Sequence, residues 1–195
     1  MKRKICMALC LALIFANVPS PVKAYGYFLE TIGEAIPGGD GFLLVSGIGL
    51  TEDSWDEVLL RVEGAEVFDL RTGFALSPQD ITEGDTLRVV YEPIQSDYPM
   101  ARALTIYVHA GEADTADFMV VVSDNIWYSN EGCAFVTVDG KYRITLTDDS
   151  LLMDKNGYEM SYDEIVPGME MFVWATFVTA SFPGQVIPDK IVLLR

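Results

Sequence analysis

Apolar residues along this chain recur at every second position, the spacing of a strand that buries one face. Glu57–Val62 (EVLLRV) and Lys141–Leu146 (KYRITL) alternate in this way. Phe42–Val45, Cys133–Val138, Thr86–Glu92, Glu170–Val178, Ala103–His109 and Lys190–Leu194 are further apolar runs of β-type composition. Shorter runs sit at Tyr27–Leu29, Val67-Phe68, Phe118–Val122 and Leu151–Met153. Gly73 and Asn156-Gly157 mark turns between them. The Asn-Gly pair predicts a type I′ hairpin turn, whose two central residues both need positive φ. Ser77–Gly84 (SPQDITEG) and Ser161–Gly168 (SYDEIVPG) each predict a single helical turn. In both, a Ser with an acidic residue three positions later forms a capping box, and a Gly ends the turn. No apolar periodicity supports a helix longer than about two turns.

These elements occur twice. Residues 25–110 are repeated, in diverged form, by residues 117–195. Set without gaps, Gly73–Pro99 and Gly157–Pro183 share six identical positions: Gly73/Gly157, Ser77/Ser161, Ile81/Ile165, Gly84/Gly168, Val89/Val173 and Pro99/Pro183. Average residue usage would give roughly two. Upstream, Gly38–Ser46 aligns with Ser129–Thr137 at an offset of 91 rather than 84, so the first copy holds seven extra residues within Gly47–Glu57. Downstream, Ile106 aligns with Ile191 after a one-residue slip. Two copies are too few for a solenoid. Five or six short strands per copy, with one helical turn, predict a small β-barrel, whose closure leaves no free sheet edge. Residues 111–116, small and acidic, read as a linker.

The first 24 residues read as a signal peptide rather than part of the fold. Lys2, Arg3 and Lys4 precede the apolar stretch Ile5–Val18, and Val22-Lys23-Ala24 supplies a small-residue cleavage site. The apolar stretch falls short of the ~20 residues that span a bilayer. The expected location is extracellular or cell-envelope associated. Removing this segment would leave 9 basic against 29 acidic residues, a formal charge of −20. Such a field repels phosphate backbones and anionic lipid surfaces, which excludes nucleic acid and stable membrane association. It admits a cationic peptide or basic protein as partner, and it favours solubility in any case. Cys133 would be the one remaining cysteine, so no internal disulfide is expected and stability must come from the core.

The second copy carries a longer pattern. A strand leads to Asp154-Lys155-Asn156-Gly157, then to Ser161–Gly168 and the apolar run Met169–Trp174. Ala180-Ser181-Phe182-Pro183-Gly184-Gln185 follows, and Asp189-Lys190-Ile191-Val192 closes the copy. This resembles the YobA-like family of uncharacterised secreted domains of Gram-positive bacteria. The resemblance covers most of residues 117–195 and is weaker over 25–110, where Asp97-Tyr98-Pro99-Met100 replaces the second copy's Pro-Gly-Gln loop. It implies small OB-type barrels and no known activity, cofactor or catalytic residue. Many members resemble lipoproteins, whereas Cys6 and Cys10 lack the small-residue context for lipidation. The expected fold is therefore all-β, with two tandem OB-like barrels related by the internal repeat.

Candidate chemistry is sparse. His109 is the single histidine, and with Cys133 it forms the one Cys-His combination available. No nucleophile-elbow signature accompanies them. The pair cannot supply a zinc site's usual nitrogen and sulfur set. Asp148, Asp149, Asp154 and Glu159 surround a turn and could offer hard oxygen ligands to Ca²⁺; a hairpin on a solvated acidic face explains them as well. In the first copy's extra loop, Trp55 stands among Glu52, Asp53, Asp56 and Glu57. An indole flanked by carboxylates suits a cationic partner; the same loop could instead cover a barrel end with the Trp55 ring. Trp127 and Trp174 are expected in core or inter-domain packing. These features favour a non-catalytic binding module, with Trp55, Asp53, Asp56 and Glu57 as its site. A metal-dependent or carboxylate-based hydrolase and a structural spacer are the alternatives.

Overall fold

The computed structural model describes residues 28–94, 98–129, 132–175 and 177–194. The expected signal segment and Tyr27 lie outside them. The chain divides into two compact units, with the boundary between Thr115 and Ala116.

The first unit contains β1 (Leu29–Gly39), β2 (Phe42–Gly49), β3 (Glu57–Arg61), β4 (Glu66–Asp69), β5 (Ala75–Leu76), β6 (Thr86–Pro93) and β7 (Met100–Val108). A 3₁₀ turn at Pro78–Asp80 separates β5 from β6 and starts in the expected Ser77/Asp80 capping box. β1 pairs antiparallel with both β2 and β6, β2 with β3, and β6 with β7. A parallel ladder from β3 to β7, Leu59 to Met100 through Arg61 to Arg102, closes the ring. This is the closure of an OB-like barrel. β4 runs parallel to the other half of β7, from Glu66 opposite Thr105 to Asp69 opposite Val108. Every second residue points inward. Leu43, Val45, Val58, Leu60, Leu87, Val89, Tyr91 and Ile106 thus form the buried core.

Closing a five-stranded ring demands sharp bending. β1 and β2 bend where Gly33 faces Gly47. A methyl group on Gly47 would sit 1.9 Å from the Ile32 carbonyl oxygen, so only glycine allows this approach.

The second unit repeats the order with β8 (Phe118–Ser129), β9 (Gly132–Thr137), β10 (Tyr142–Leu146), β11 (Leu151–Asp154), β12 (Glu170–Trp174), β13 (Gly184–Val186) and β14 (Lys190–Leu193). β8 pairs with β9 and β12, β9 with β10, and β12 with β14. β13 and β14 share the role of β7: β10 runs parallel to β13, and β11 runs parallel to β14. Pro188, which has no backbone N–H to give a ladder, lies between them. One bridge, Val178 to Val186, joins β13 to the segment after β12. Phe135, Ile144, Leu146, Ile165, Met171, Val173 and Ile191 fill the core. Here β8 bends at a bulge between Val122 and Ile126.

Three sequence expectations need correction. The 91-residue offset over Gly38–Ser46 places core residue Leu43 over outward-facing Ala134. Strand register instead matches Leu43 with Phe135, because Ala35 pairs with Val45 where Val122 pairs with Thr137. A one-residue slip in a strand exchanges its two faces. The long strand expected over Glu170–Val178 stops at Trp174, because the Asp117 carboxylate takes the Ala175 N–H at 2.8 Å. The β11 turn is not type I′: Asn156 keeps a negative φ while Gly157 adopts +85°. Asp154 Oδ1 accepts the N–H groups of Asn156 and Tyr158 at 2.9 and 2.8 Å, which supplies the turn by a side chain instead.

Candidate functional site

The acidic Trp loop is fastened to its own barrel. Thr31 Oγ1 donates to the Trp55 carbonyl at 2.6 Å, and the Trp55 N–H donates to the Tyr91 hydroxyl at 3.0 Å. The Trp55 ring stacks on Tyr91 with centroids 5.8 Å apart and packs against the core. Ser54 Oγ accepts the Glu30 N–H, and Asp56 Oδ1 accepts the Gly49 N–H. Tyr98 donates to Glu57 at 3.1 Å. Asp53, Asp56 and Glu57 are exposed around the half-buried ring. The loop therefore covers a barrel end with Trp55, and the carboxylates do not frame an open aromatic face.

The four acidic residues of the second unit serve different ends. Both Asp154 oxygens accept hydrogen bonds within its turn, Oδ2 from the Asn156 amide at 3.0 Å. These bonds, led by the Tyr158 N–H, hold its carboxyl below the usual range. Asp148 and Glu159 line a shallow depression of ≈ 500 Å³ with Tyr162. Burial first, then the charges of Asp148, Asp149 and Glu159, push the Tyr162 phenol upward. Among the described residues, no three His, Cys, Asp or Glu side chains are placed to hold a metal ion.

His109 and Cys133 belong to different units and different environments. His109 ends β7 with φ of +63°, and its Nδ1 donates to Asp69 Oδ1 at 2.8 Å. Asp69 also accepts from the Arg71 N–H and the Thr72 hydroxyl. Burial works to raise the Asp69 carboxyl, but the His109, Arg71 and Thr72 bonds outweigh it and hold it low. Cys133 is a core residue, and burial pushes its thiol up, away from the reactive thiolate.

The most open chemistry lies on the outer face of β8, β9 and β10. Trp127, Ala134 and Thr145 form one cross-strand row. Their neighbours Tyr128, Cys133 and Leu146 form the next row, whose latter two members are core. The row's parity turns Trp127 outward, so that it is 49% exposed. Arg143 stands one pleat away on β10, its guanidinium carbon 5.2 Å from the centre of the indole. A groove of ≈ 560 Å³ runs past Trp127, Ala134, Arg143 and Thr145 to Asp148 and Asp149. Arg143, Asp148 and Asp149 are exposed, and among the described residues none has an ion pair. Core packing, the role expected for Trp127, is thus not the one it takes. Trp174, by contrast, lies half-buried beneath the Lys190 ammonium, 4.1 Å from the ring centre.

The sequence signal for Trp127 was its strand neighbourhood. Asp124, Asn125 and Ser129 surround the aromatic pair, a polar setting for an exposed face. Its parity depended on the β8 bulge, which local alternation does not reveal. No family model matches this chain, and neither a curated protein nor a solved structure matches it.

Proposed function

We propose that this protein is a non-catalytic binding module that works outside the cytoplasm or in the cell envelope, and that its second unit carries the binding face. The half-exposed Trp127 beneath Arg143 carries this reading. A large aromatic ring exposed on a rigid sheet beside unpaired charges is costly to leave in water and typical of recognition surfaces. By analogy of fold alone, OB barrels engage extended ligands on the face of their second and third strands, here β9 and β10. The resemblance to the YobA-like family belongs to the same proposal and rests on the second-copy residues quoted above. Export rests on the N-terminal charge and hydropathy pattern.

The test is a thermal-shift panel of neutral oligosaccharides, basic peptides and divalent cations on wild type and Trp127→Ala. A ligand that binds only the folded protein raises Tm by mass action. A shift in wild type that is lost in the variant supports the proposal. Equal shifts in both proteins, or none across the panel, would remove this face as the binding site.

A further inference from the structure

Building on that reading, we infer that the groove beside Trp127 takes a neutral oligosaccharide. Three observations narrow the ligand. First, Arg143 already lies over the Trp127 ring, so a ligand cation would meet a fixed guanidinium where it would need an open aromatic face. Second, Asp148 and Asp149 line the far end of the same groove, and acidic residues outnumber basic ones 29 to 13 in the chain, which opposes an anion. A ligand without net charge avoids both penalties. Third, the lining offers hydroxyl-compatible partners on both sides of a small-residue floor. Arg143 donates through a planar fork, Asp148 and Asp149 accept, and Ser129, Thr145 and Thr147 do either. Gly132 and Ala134 leave the sheet surface low between them.

A sugar ring matches this arrangement. Its C–H face carries a slight positive charge and stacks on the negative face of an indole, while its hydroxyls pair with side chains at the rim. The groove volume falls within the roughly 300–1,000 Å³ of ligand sites, and its open form admits a chain that extends beyond it. No covalent step is involved.

The experiment is titration of the full-length exported chain, by calorimetry and tryptophan fluorescence, with three separate probes: cellohexaose, chitohexaose and oligolysine. Expected is a change with at least one of the two neutral hexasaccharides, weakened about tenfold or more in Trp127→Ala. Trp127→Phe, which keeps a stacking face, should retain most of the affinity. Asp148→Asn combined with Asp149→Asn should weaken it without abolishing stacking. Thermal melts of each variant separate lost binding from lost folding. Sugar binding that persists unchanged in a folded Trp127→Ala overturns the site. Oligolysine binding that depends on Trp127, without sugar binding, overturns the ligand class and leaves the binding module standing. Silence from all three probes overturns the oligosaccharide inference; the binding-module reading then stands or falls on the wider thermal-shift panel.

Discussion

Asp69 and Asp154 close the same turn in the two units by the same means. Each backbone N–H bonds across the hairpin, to Phe74 and Tyr158, and each carbonyl accepts a glycine N–H, from Gly73 and Gly157. Each carboxylate accepts the N–H two residues on, from Arg71 or Asn156. His109 adds a partner in the first unit that Leu194 cannot give in the second. The Asp–His contact is thus an elaboration of a turn shared by both units. Because the Asp69 carboxyl is held low when folded, its stabilisation is present above the unfolded value, about 3.9, and is lost as pH falls through the folded value. Asp69→Asn should cost about 1–2 kcal/mol at neutral pH, shrinking as the pH falls below 4 or so. Urea midpoints measured across that range check the sign; a constant difference would contradict it.

Glu30 and Arg88 make the other notable residue-scale contact. Their side chains meet at 2.7 Å across β1 and β6, with only 9% and 5% of each exposed. A buried pair broken on one side leaves an uncompensated charge. Arg88→Met should therefore destabilise by about 3 kcal/mol, and adding Glu30→Leu should recover most of the loss. A double-mutant cycle by denaturant unfolding reads both numbers. Additive losses would show that the ion pair is not what holds this position.

At the scale of elements, the two units solve barrel closure differently. The first bends β1 and β2 at the Gly33–Gly47 contact, and the second bends β8 at its bulge. Gly47→Ala should therefore abolish folding of the first barrel or cost more than about 3 kcal/mol, since its clash is with backbone. Circular dichroism and thermal melting measure this, and a near-wild-type melt would be inconsistent with so tight a crossing. The loop between β2 and β3 is an element in its own right, held by Thr31, Ser54 and Tyr91. Trp55→Ala should cost about 2–3 kcal/mol through lost packing. The sequence located this loop and its cover-the-end alternative. The hydroxyl of Tyr91, a residue 36 positions away, decided between the two uses.

At the scale of the whole molecule, the acidic excess governs behaviour in salt. The chain has 29 acidic and 13 basic residues, and self-repulsion of such a charge destabilises the compact state. Raising NaCl from about 10 mM to about 150 mM shortens the Debye length from about 30 Å to about 8 Å. Tm should rise by about 2–4 °C, the shift that corresponds to roughly 1 kcal/mol at this size. A fall in Tm would mean that favourable ion pairs outweigh the repulsion.

Alternation, turn residues and the two capping boxes determined the all-β character, the number of barrels and most strand positions. These are local signals, since a strand's period and a turn's φ demand are satisfied within a few residues. Tertiary structure decided which face each aromatic residue occupies. Trp55 turned inward because Tyr91 received it, and Trp127 turned outward because a bulge reset the parity of β8. A strand's inward and outward faces exchange with every single-residue shift, so partners distant in sequence determine what local pattern leaves open.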